Sequence, residues 1–324
     1  FLNDLYEELE KVESNEAKLQ KLQQRLGEIK IFDPACGSGN FLIIAYKELR
    51  KLEMEVLKGL QELEAKRTGG QISQPFSVIK LSQFYGIELD DFAHEVAILS
   101  LWLAEHQMNV EFKTEFGEAM PSLPLKNGGN IKAGNAVAKD WNNICEPTGE
   151  VYLLGNPPYL GSKNQSMDQK ADLTIVFKGI KSFKKLDYIA AWFLKAAQFI
   201  NNNESKAAFV STNSICQGEQ VSILWPEIFS IGIDIAFAYQ SFHWSNNAKN
   251  QAGVTCVIVG LKMKSNVDEK YIYSKGIVKS VTNISPYLIE GGNDSVYSRR
   301  KAISDLPKMV SGSKPTDDGN FILS

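Results

Sequence analysis

The stretch from residue 31 to residue 41, IFDPACGSGNF, decides how this chain folds. It begins with a short β-rich run that Pro34 stops, passes through a glycine turn and leads directly into a long helical segment. Gly37 and Gly39 allow the backbone to turn tightly and to approach a ligand. A strand, a tight turn and a helix in this order predict the first unit of an open α/β sheet. In such sheets ligands bind at the carboxyl ends of the strands.

The same alternation of strand and helix continues along the chain. Seven segments have the apolar, β-rich character of strands: IKIFDP, QFYGIEL, NIKAGN, VYLLGN, KAAFVSTN, IDIAFAYQSF and GVTCVIVGLKM. Helical segments between them predict an α/β fold with a doubly wound, mostly parallel seven-stranded sheet. Since no helix separates the last two strands, we expect one of them to be an antiparallel edge strand.

The periodicity divides the chain into three regions. Residues 1–28 have apolar residues at helical spacing and predict a helical segment that links to an upstream region. Residues 29–267 hold the alternating strands and helices of the main domain. From 268 to 324 the periodicity fades, which predicts a linker. Because the chain starts with Phe1 and stops on the apolar run GNFILS, we expect a longer parent polypeptide.

The composition is that of a globular protein in a reducing compartment. Of the 324 residues 44% are hydrophobic and the net charge is −3, so the chain is not disordered and has no global nucleic-acid signature. The four cysteines form no CxxC pair, which argues against zinc and against a disulfide framework. With no apolar run of about 18 residues, we expect a cytoplasmic protein without a membrane partner.

The glycine loop predicts a cationic nucleoside ligand. It matches neither the GxxxxGK[ST] phosphate loop nor GxGxxG, and Asp33 at the end of the strand would repel a pyrophosphate but attract an ammonium or sulfonium group. Glu88 ends the second predicted strand, where an acid commonly binds ribose hydroxyls. S-adenosylmethionine has both features. The alternative is a structural strand–turn–helix with a capping aspartate.

The stretch NPPY, residues 156–159, follows the fourth predicted strand. Pro157 and Pro158 make a stiff corner, which holds Asn156 in extended geometry. The amide oxygen of Asn156 and the next carbonyl are two acceptors, which suit an amino group with its two donors. Tyr159 offers a face on which a base can stack. The alternative is a turn that only ends the strand.

These motifs, in this order, resemble motifs I and IV of the gamma-type amino-methyltransferases of DNA, whose fold is that of class I S-adenosylmethionine-dependent methyltransferases. The resemblance implies that NPPY is catalytic and, because its first residue is asparagine, that the methyl acceptor is adenine N6. In many relatives an aromatic residue follows the position of Asn135, whereas this chain has Ala136. The resemblance implies cofactor contacts for Asp33, Pro34, Ala35, Gly37, Gly39, Asn40, Phe41, Glu88, Leu89, Asn135 and Ala136.

A closer resemblance, from about residue 29 to the end of the chain, is to the MmeI-like type II restriction–modification proteins. It rests on NPPYLGSKNQS, KLDYIAAWFLKAAQFI, HWSNNAKNQAGVTCVIVGLK and SRRKAISDLPKMVSGSKPTDDGN. It implies double-stranded DNA with a flipped adenine as the partner, contacted by His243 and Trp244. It also implies a nuclease region before Phe1 and a target-recognition domain near or after Ser324.

A lysine-rich segment follows the NPPY turn. Between residues 163 and 195, seven lysines against three aspartates leave a local charge of +4. Such a segment suits DNA phosphates, although an ordinary solvated helix surface has the same pattern.

Other functions fit parts of the same pattern. Methyltransferases acting on RNA guanine or protein glutamine also carry NPPY. A catalytically idle module that binds cofactor or DNA is a further alternative. A nicotinamide dehydrogenase fits poorly, because the third glycine is missing and Asp33 has the wrong charge.

Overall fold

The structure is a computed structural model that describes residues 1–117, 129–244, 254–265 and 269–297. Within these ranges one sheet contains nine strands. In chain order the strands are β1 (Lys30–Asp33), β2 (Phe84–Glu88), β3 (Asn130–Ala133), β4 (Val151–Gly155), β5 (Lys206–Thr212), β6 (Ile233–Trp244), β7 (Val254–Met263), β8 (Lys270–Ser274) and β9 (Ile277–Val281). The helices are α1 (Leu2–Val12), α2 (Glu16–Glu28), α3 (Asn40–Thr68), α4 (Asp91–Phe116), α5 (Met167–Val176), α6 (Ala190–Ile200) and α7 (Gly218–Ser230).

Helices cover both faces of the sheet, as expected for a doubly wound fold. Successive side chains of a strand point to opposite faces. Accordingly, Ile31 of β1 packs in a core with side chains of α2, α3 and α4, whereas the next residue, Phe32, packs with those of α6 and α7. The predicted α/β class and doubly wound arrangement are therefore confirmed.

The strand order β3-β2-β1-β4-β5-β7-β6-β8-β9 puts the predicted site inside the sheet, at the point between β1 and β4 where the strand order reverses. β1 pairs in parallel with both β2 and β4. The chain thus winds outward from β1 in one direction through β2 and in the other through β4. The crevice at the carboxyl ends of β1 and β4 is the position where such folds bind ligands.

The seven predicted strands are all present, but the antiparallel one lies elsewhere. β7 runs antiparallel between β5 and β6 instead of at the edge. Its interior position agrees with its side chains, since Val257, Val259 and Leu261 are buried. The edge strand on this side is β9, which is antiparallel to β8.

The sheet continues beyond residue 267, into the region for which the sequence predicted a linker. β8 pairs in parallel with β6, and Ile272 and Val281 are buried. Lys270 opens β8 in a buried position, where its Nζ lies 2.8 Å from Asp234 Oδ2. The predicted boundary was too early because a strand that begins with a buried lysine lacks an apolar signature.

The N-terminal helices belong to the packed body of the protein. Asn15 caps α2, accepting a hydrogen bond from the Lys18 N–H at 3.0 Å. Four leucines of α1 and α2 are buried in the core beside α3: Leu5, Leu19, Leu22 and Leu26. None of the helices in the described ranges has the length and apolar character that crossing a membrane requires.

Candidate active site

The loop between β1 and α3 depends on two glycines. Gly37 and Gly39 have φ values of +54° and +86°, in the left-handed region that favours glycine. The Gly39 N–H donates to the Cys36 carbonyl at 2.8 Å, and the Cys36 N–H donates to Ile87 of β2 at 3.1 Å. The loop is therefore tied to the neighbouring strand, with its amides at the N-terminus of α3.

Asp33 ends β1 and is completely buried. Its Oδ1 accepts a hydrogen bond from the Ala35 N–H at 2.9 Å, whereas its Oδ2 has no partner among the described residues. Burial raises the pKa of Asp33 to about 7; the Ala35 hydrogen bond opposes this rise and the Glu88 charge adds to it. A buried, unpaired carboxylate oxygen fits a ligand with a cationic donor, because the donor would both pair with it and neutralise it.

Glu88, at the end of β2, faces the glycine loop. Its two carboxylate oxygens accept the N–H groups of Gly37 at 2.7 Å and Asp90 at 2.9 Å. These bonds fix the carboxylate and leave further lone pairs on both oxygens. Of the neighbouring residues expected to contact the cofactor, Asn40 and Leu89 are exposed, Phe41 is half-buried and Pro34 is buried.

Asn135 and Ala136 follow β3 and lie next to Glu88 in the sheet, since the Gly134 N–H donates to the Glu88 carbonyl at 2.7 Å. The Asn135 Oδ1 accepts the Val137 N–H at 2.9 Å, and its Nδ2 donates to Asp172 at 2.8 Å. Ala136 is buried. The structure thus brings the predicted ribose and adenine contacts to the same edge of the sheet.

The NPPY turn begins immediately after β4. Asn156 is half-buried, and its Oδ1 is buried without a hydrogen-bond partner in the described part of the chain. Pro157 is buried and Pro158 is exposed. Tyr159 is half-buried, and it packs against the core formed with α6 and α7.

Gly155 connects this turn to the cofactor loop. A Cβ atom at Gly155 would lie 2.5 Å from Asp33 Oδ1, which leaves room only for glycine. Gly155 thus lies directly against Asp33, and Asn156 is the next residue in the chain. The predicted amino-group acceptor Asn156 and the predicted cofactor acid Asp33 are brought together, because β1 and β4 pair in parallel.

The hydrogen bonds that hold the segment after the NPPY turn in place were not predicted from the sequence. The buried Asp187 accepts the Leu160 N–H at 2.7 Å, and the Leu160 carbonyl accepts Gln165 Nε2 at 2.9 Å and the Tyr188 N–H at 3.1 Å. Trp192 Nε1 donates to the Pro34 carbonyl at 3.1 Å. The only sequence signal was one aspartate in the otherwise apolar segment LDYIAAWF, and it does not reveal its distant partner.

Comparison with known proteins identifies the family to which this fold belongs. The family model of the MmeI DNA-methyltransferase domain matches residues 9–274. The chain belongs to this family. DNA methyltransferase A of Bacillus subtilis is 51% identical over 327 residues, a match that covers 100% of this chain and 36% of that protein.

A solved structure of the type IIL restriction–modification enzyme MmeI in complex with DNA is also similar. It has 46% sequence identity and a TM-score of 0.90, and the match covers 99% of this chain and 43% of that chain. The chain therefore spans less than half the length of either relative. Family membership and the class I methyltransferase fold are both established by these matches.

Two further predicted site residues, His243 and Trp244, lie at the end of β6. β6 runs in the same direction as β4, because both β5 and β6 are antiparallel to β7. His243 and Trp244 pair with Thr255 and Val254 of β7 at the edge of the sheet that carries NPPY. Their side chains lie outside the described part of the structure, so base contact stays a prediction.

The seven lysines of the lysine-rich segment lie in different environments in the fold. Lys195 is turned inward, where its Nζ donates to the carbonyls of Val137 at 3.1 Å and Lys139 at 2.7 Å. Lys185 is paired with Glu219. The other five lysines are exposed: Lys163, Lys170, Lys178, Lys181 and Lys184.

Proposed function

We propose that this site transfers a methyl group from S-adenosylmethionine to N6 of an adenine that DNA presents outside its helix. The observation that carries the proposal is the buried, unpaired Oδ1 of Asn156, one residue after a glycine that packs directly on Asp33. The family of DNA-methyltransferase domains, and a relative solved with DNA, support DNA as the substrate.

The residues that would hold the cofactor have complementary chemistry. Asp33 provides a carboxylate oxygen for a cationic group, Glu88 provides lone pairs for ribose hydroxyls, and Asn135 lies where the adenine ring would follow. When bound, S-adenosylmethionine supplies an electrophilic methyl group on its sulfonium centre.

The NPPY turn would activate the target amine. The lone pair of an adenine amino group is delocalised into the ring, which makes the nitrogen a poor nucleophile. Asn156 Oδ1 and the Pro157 carbonyl can accept its two N–H groups and favour a more tetrahedral nitrogen, whose lone pair is available for attack. Acceptors that are already in place need no reorganisation during the reaction, and such preorganisation is a large term in catalysis. Tyr159 would stack on the base.

We further propose that the parent protein joins this part to nuclease and target-recognition regions, as a restriction–modification enzyme. The chain covers 36% of one relative and 43% of the other, which leaves most of each unmatched. The five exposed lysines after the turn would then meet DNA phosphates.

The test is methyl transfer by the full-length parent protein with the Asn156→Ala substitution. We expect transfer to DNA to fall by about 10²–10³-fold, as when one preorganised polar group is removed from an active site. Binding of S-adenosylmethionine, measured by calorimetry, should change little. The control is Asn164→Ala, an exposed asparagine of the same segment.

Two results would overturn the proposal. One is unchanged transfer by the Asn156→Ala protein. The other is a labelled methyl group that enters RNA or protein instead of DNA, which would favour a methyltransferase of another class.

A further inference from the structure

Asp172 joins three segments that are distant in the sequence. It lies on α5, in the segment that follows the NPPY turn, and is half-buried. Its Oδ2 accepts a hydrogen bond from Asn135 Nδ2 at 2.8 Å and another from the Tyr188 hydroxyl at 2.6 Å. A residue beyond the turn thus reaches the predicted adenine end of the cofactor site.

The helix around Asp172 is firmly placed. Ser166 and Gln169 form a capping box at the start of α5, with hydrogen bonds of 3.2 and 3.0 Å. The next residue after Asp172, Leu173, is buried in the core formed with α6 and α7. Asp172 therefore faces Asn135 from a fixed element.

Together with one backbone contact, the hydrogen bond to Asp172 fixes which way the Asn135 amide points. Asp172 Oδ2 is the acceptor in this hydrogen bond, so the amide must turn its NH₂ group towards Asp172 and its oxygen away. The Val137 N–H requires the same orientation, because it donates to that oxygen. One lone pair of the oxygen remains, and it is an acceptor for a ligand.

Tyr188 keeps Asp172 in the role of hydrogen-bond acceptor. Burial, and then its hydrogen bond to Asp172, raise the pKa of the Tyr188 hydroxyl above its ordinary value. The hydroxyl consequently stays protonated at neutral pH and donates to Asp172. Both groups that touch Oδ2 are donors, so Asp172 is the common acceptor.

We propose that Asp172 is a positioning residue which, through Asn135, makes the cofactor site selective for a 6-amino purine over a 6-oxo purine. The inference rests on the proposed function, since it takes Asn135 as the contact to the purine ring. A fixed amide oxygen attracts the amino group of adenine, whereas it repels the carbonyl oxygen of hypoxanthine. An amide free to rotate would bind both, because it could turn its oxygen to the amino group of adenine or its NH₂ group to the carbonyl of hypoxanthine.

The experiment measures the affinity of the full-length protein for S-adenosylhomocysteine and for S-inosylhomocysteine by calorimetry. Asp172→Asn keeps the size of the side chain but can present either an acceptor or a donor to Asn135. We expect the ratio of the two affinities to fall by about ten-fold, close to the upper value for one neutral hydrogen bond. Asp172→Ala should lower the same ratio. Asp168→Asn, at an exposed aspartate of the same helix, should leave the ratio unchanged.

The outcomes separate this inference from the proposed function. If the unmodified protein binds neither ligand, the proposed function fails, and this inference fails with it. If it binds S-adenosylhomocysteine but the Asp172 variants weaken both ligands by the same factor, the residue is only structural and this inference alone is overturned. An unchanged ratio in both Asp172 variants would overturn it as well.

Discussion

Two buried oxygen atoms, at the ends of the neighbouring strands β1 and β4, are the main polar groups of the candidate site. Asp33 Oδ2 and Asn156 Oδ1 are both buried, and neither has a hydrogen-bond partner among the described residues. A buried polar atom without a partner is costly in a folded protein. Asp33 lies against Gly155 and Asn156 follows Gly155 in the chain, so the two oxygens are placed as the proposed transfer between two reactants requires.

The raised pKa of Asp33 predicts that cofactor binding depends on pH. With a pKa of about 7, Asp33 is largely neutral at pH 6 and ionised at pH 8, and only the ionised form attracts a cation. Affinity for S-adenosylmethionine should therefore rise between pH 6 and pH 8. Asp33→Asn should weaken binding at pH 8 by about ten-fold, and remove this rise. Calorimetry at several pH values is the measurement, and Asp168→Asn is the control.

The same shift predicts how stability changes with pH. Asp33 has an ordinary pKa of 3.8 when unfolded and about 7 when folded, so between these values the folded state holds the extra proton. The stability from this proton is present below about pH 4 and is lost as pH rises through about 7. Asp33→Asn should flatten this part of the profile in urea unfolding. An identical slope in both proteins would contradict the burial argument.

Gly155→Ala, a substitution in β4, should disturb the position of Asp33 in the neighbouring strand. The new Cβ atom would lie 2.5 Å from Asp33 Oδ1, so Asp33 or β4 must shift. We expect a loss of stability of about 1–3 kcal/mol, typical of overpacking in a core, together with weaker cofactor binding. Gly161→Ala is the matched control, because a Cβ atom there meets nothing within 4 Å. Equal thermal midpoints for the two variants would speak against the close approach of β1 and β4.

At the scale of elements, local patterns predicted more than long-range contacts did. The strands β1 to β5 and the long helices α3 and α4 follow from apolar runs and from the residues at their ends. The place of β7 does not, because two adjacent strands indicate a hairpin but not that one of them inserts beside β5. β8 was missed because its buried Lys270 needs Asp234, 36 residues earlier, to be tolerated.

In the candidate site, too, local sequence patterns predicted more than long-range contacts did. Asp33, Glu88 and Asn156 were predicted as site residues because each lies at the end of a predicted strand or directly after it. Asp187 and Asp172 were missed, since each acts on a group far away in the sequence, 27 positions for Leu160 and 37 positions for Asn135. A single aspartate on a helix or in a loop has no pattern that distinguishes it from a solvated one.

The helices α1 and α2 should contribute to stability as parts of the fold. Leu22 of α2 is 1% exposed and packs in the core beside α3. Leu22→Ala should lower the free energy of unfolding by about 2–5 kcal/mol, as for other leucines truncated in a core. Urea denaturation measures the loss. Lys21→Ala, at the exposed neighbouring position, should change stability by less than about 0.5 kcal/mol.

At the scale of the whole molecule, the sheet defines a unit that extends to Val281. Beyond β9, the Asn283 Nδ2 donates to the carbonyl of Gly291 at 2.7 Å, and its Oδ1 accepts from Lys270 at 2.7 Å. The segment after the sheet is therefore attached to the buried pair of Lys270 and Asp234. A boundary at residue 267 would cut through this unit.

Two shortened chains test the boundary. A chain of residues 1–267 loses β8 and β9, exposes the edge of β6 and leaves Asp234 without its lysine. We expect it to be less stable by about 3–5 kcal/mol than a chain of residues 1–297, since breaking a buried ion pair leaves an unpaired charge. Thermal unfolding and light scattering would compare them. Equal thermal midpoints and equal light scattering for the two chains would support the boundary at residue 267.

The unpaired oxygen of Asn156 also bears on how this protein could be improved or could evolve. An acceptor left without a donor costs about 1–3 kcal/mol, so an apolar residue of similar size at this position should give a more robust protein. Selection for heat resistance alone would then favour loss of the asparagine, and selection for methyl transfer would restore it.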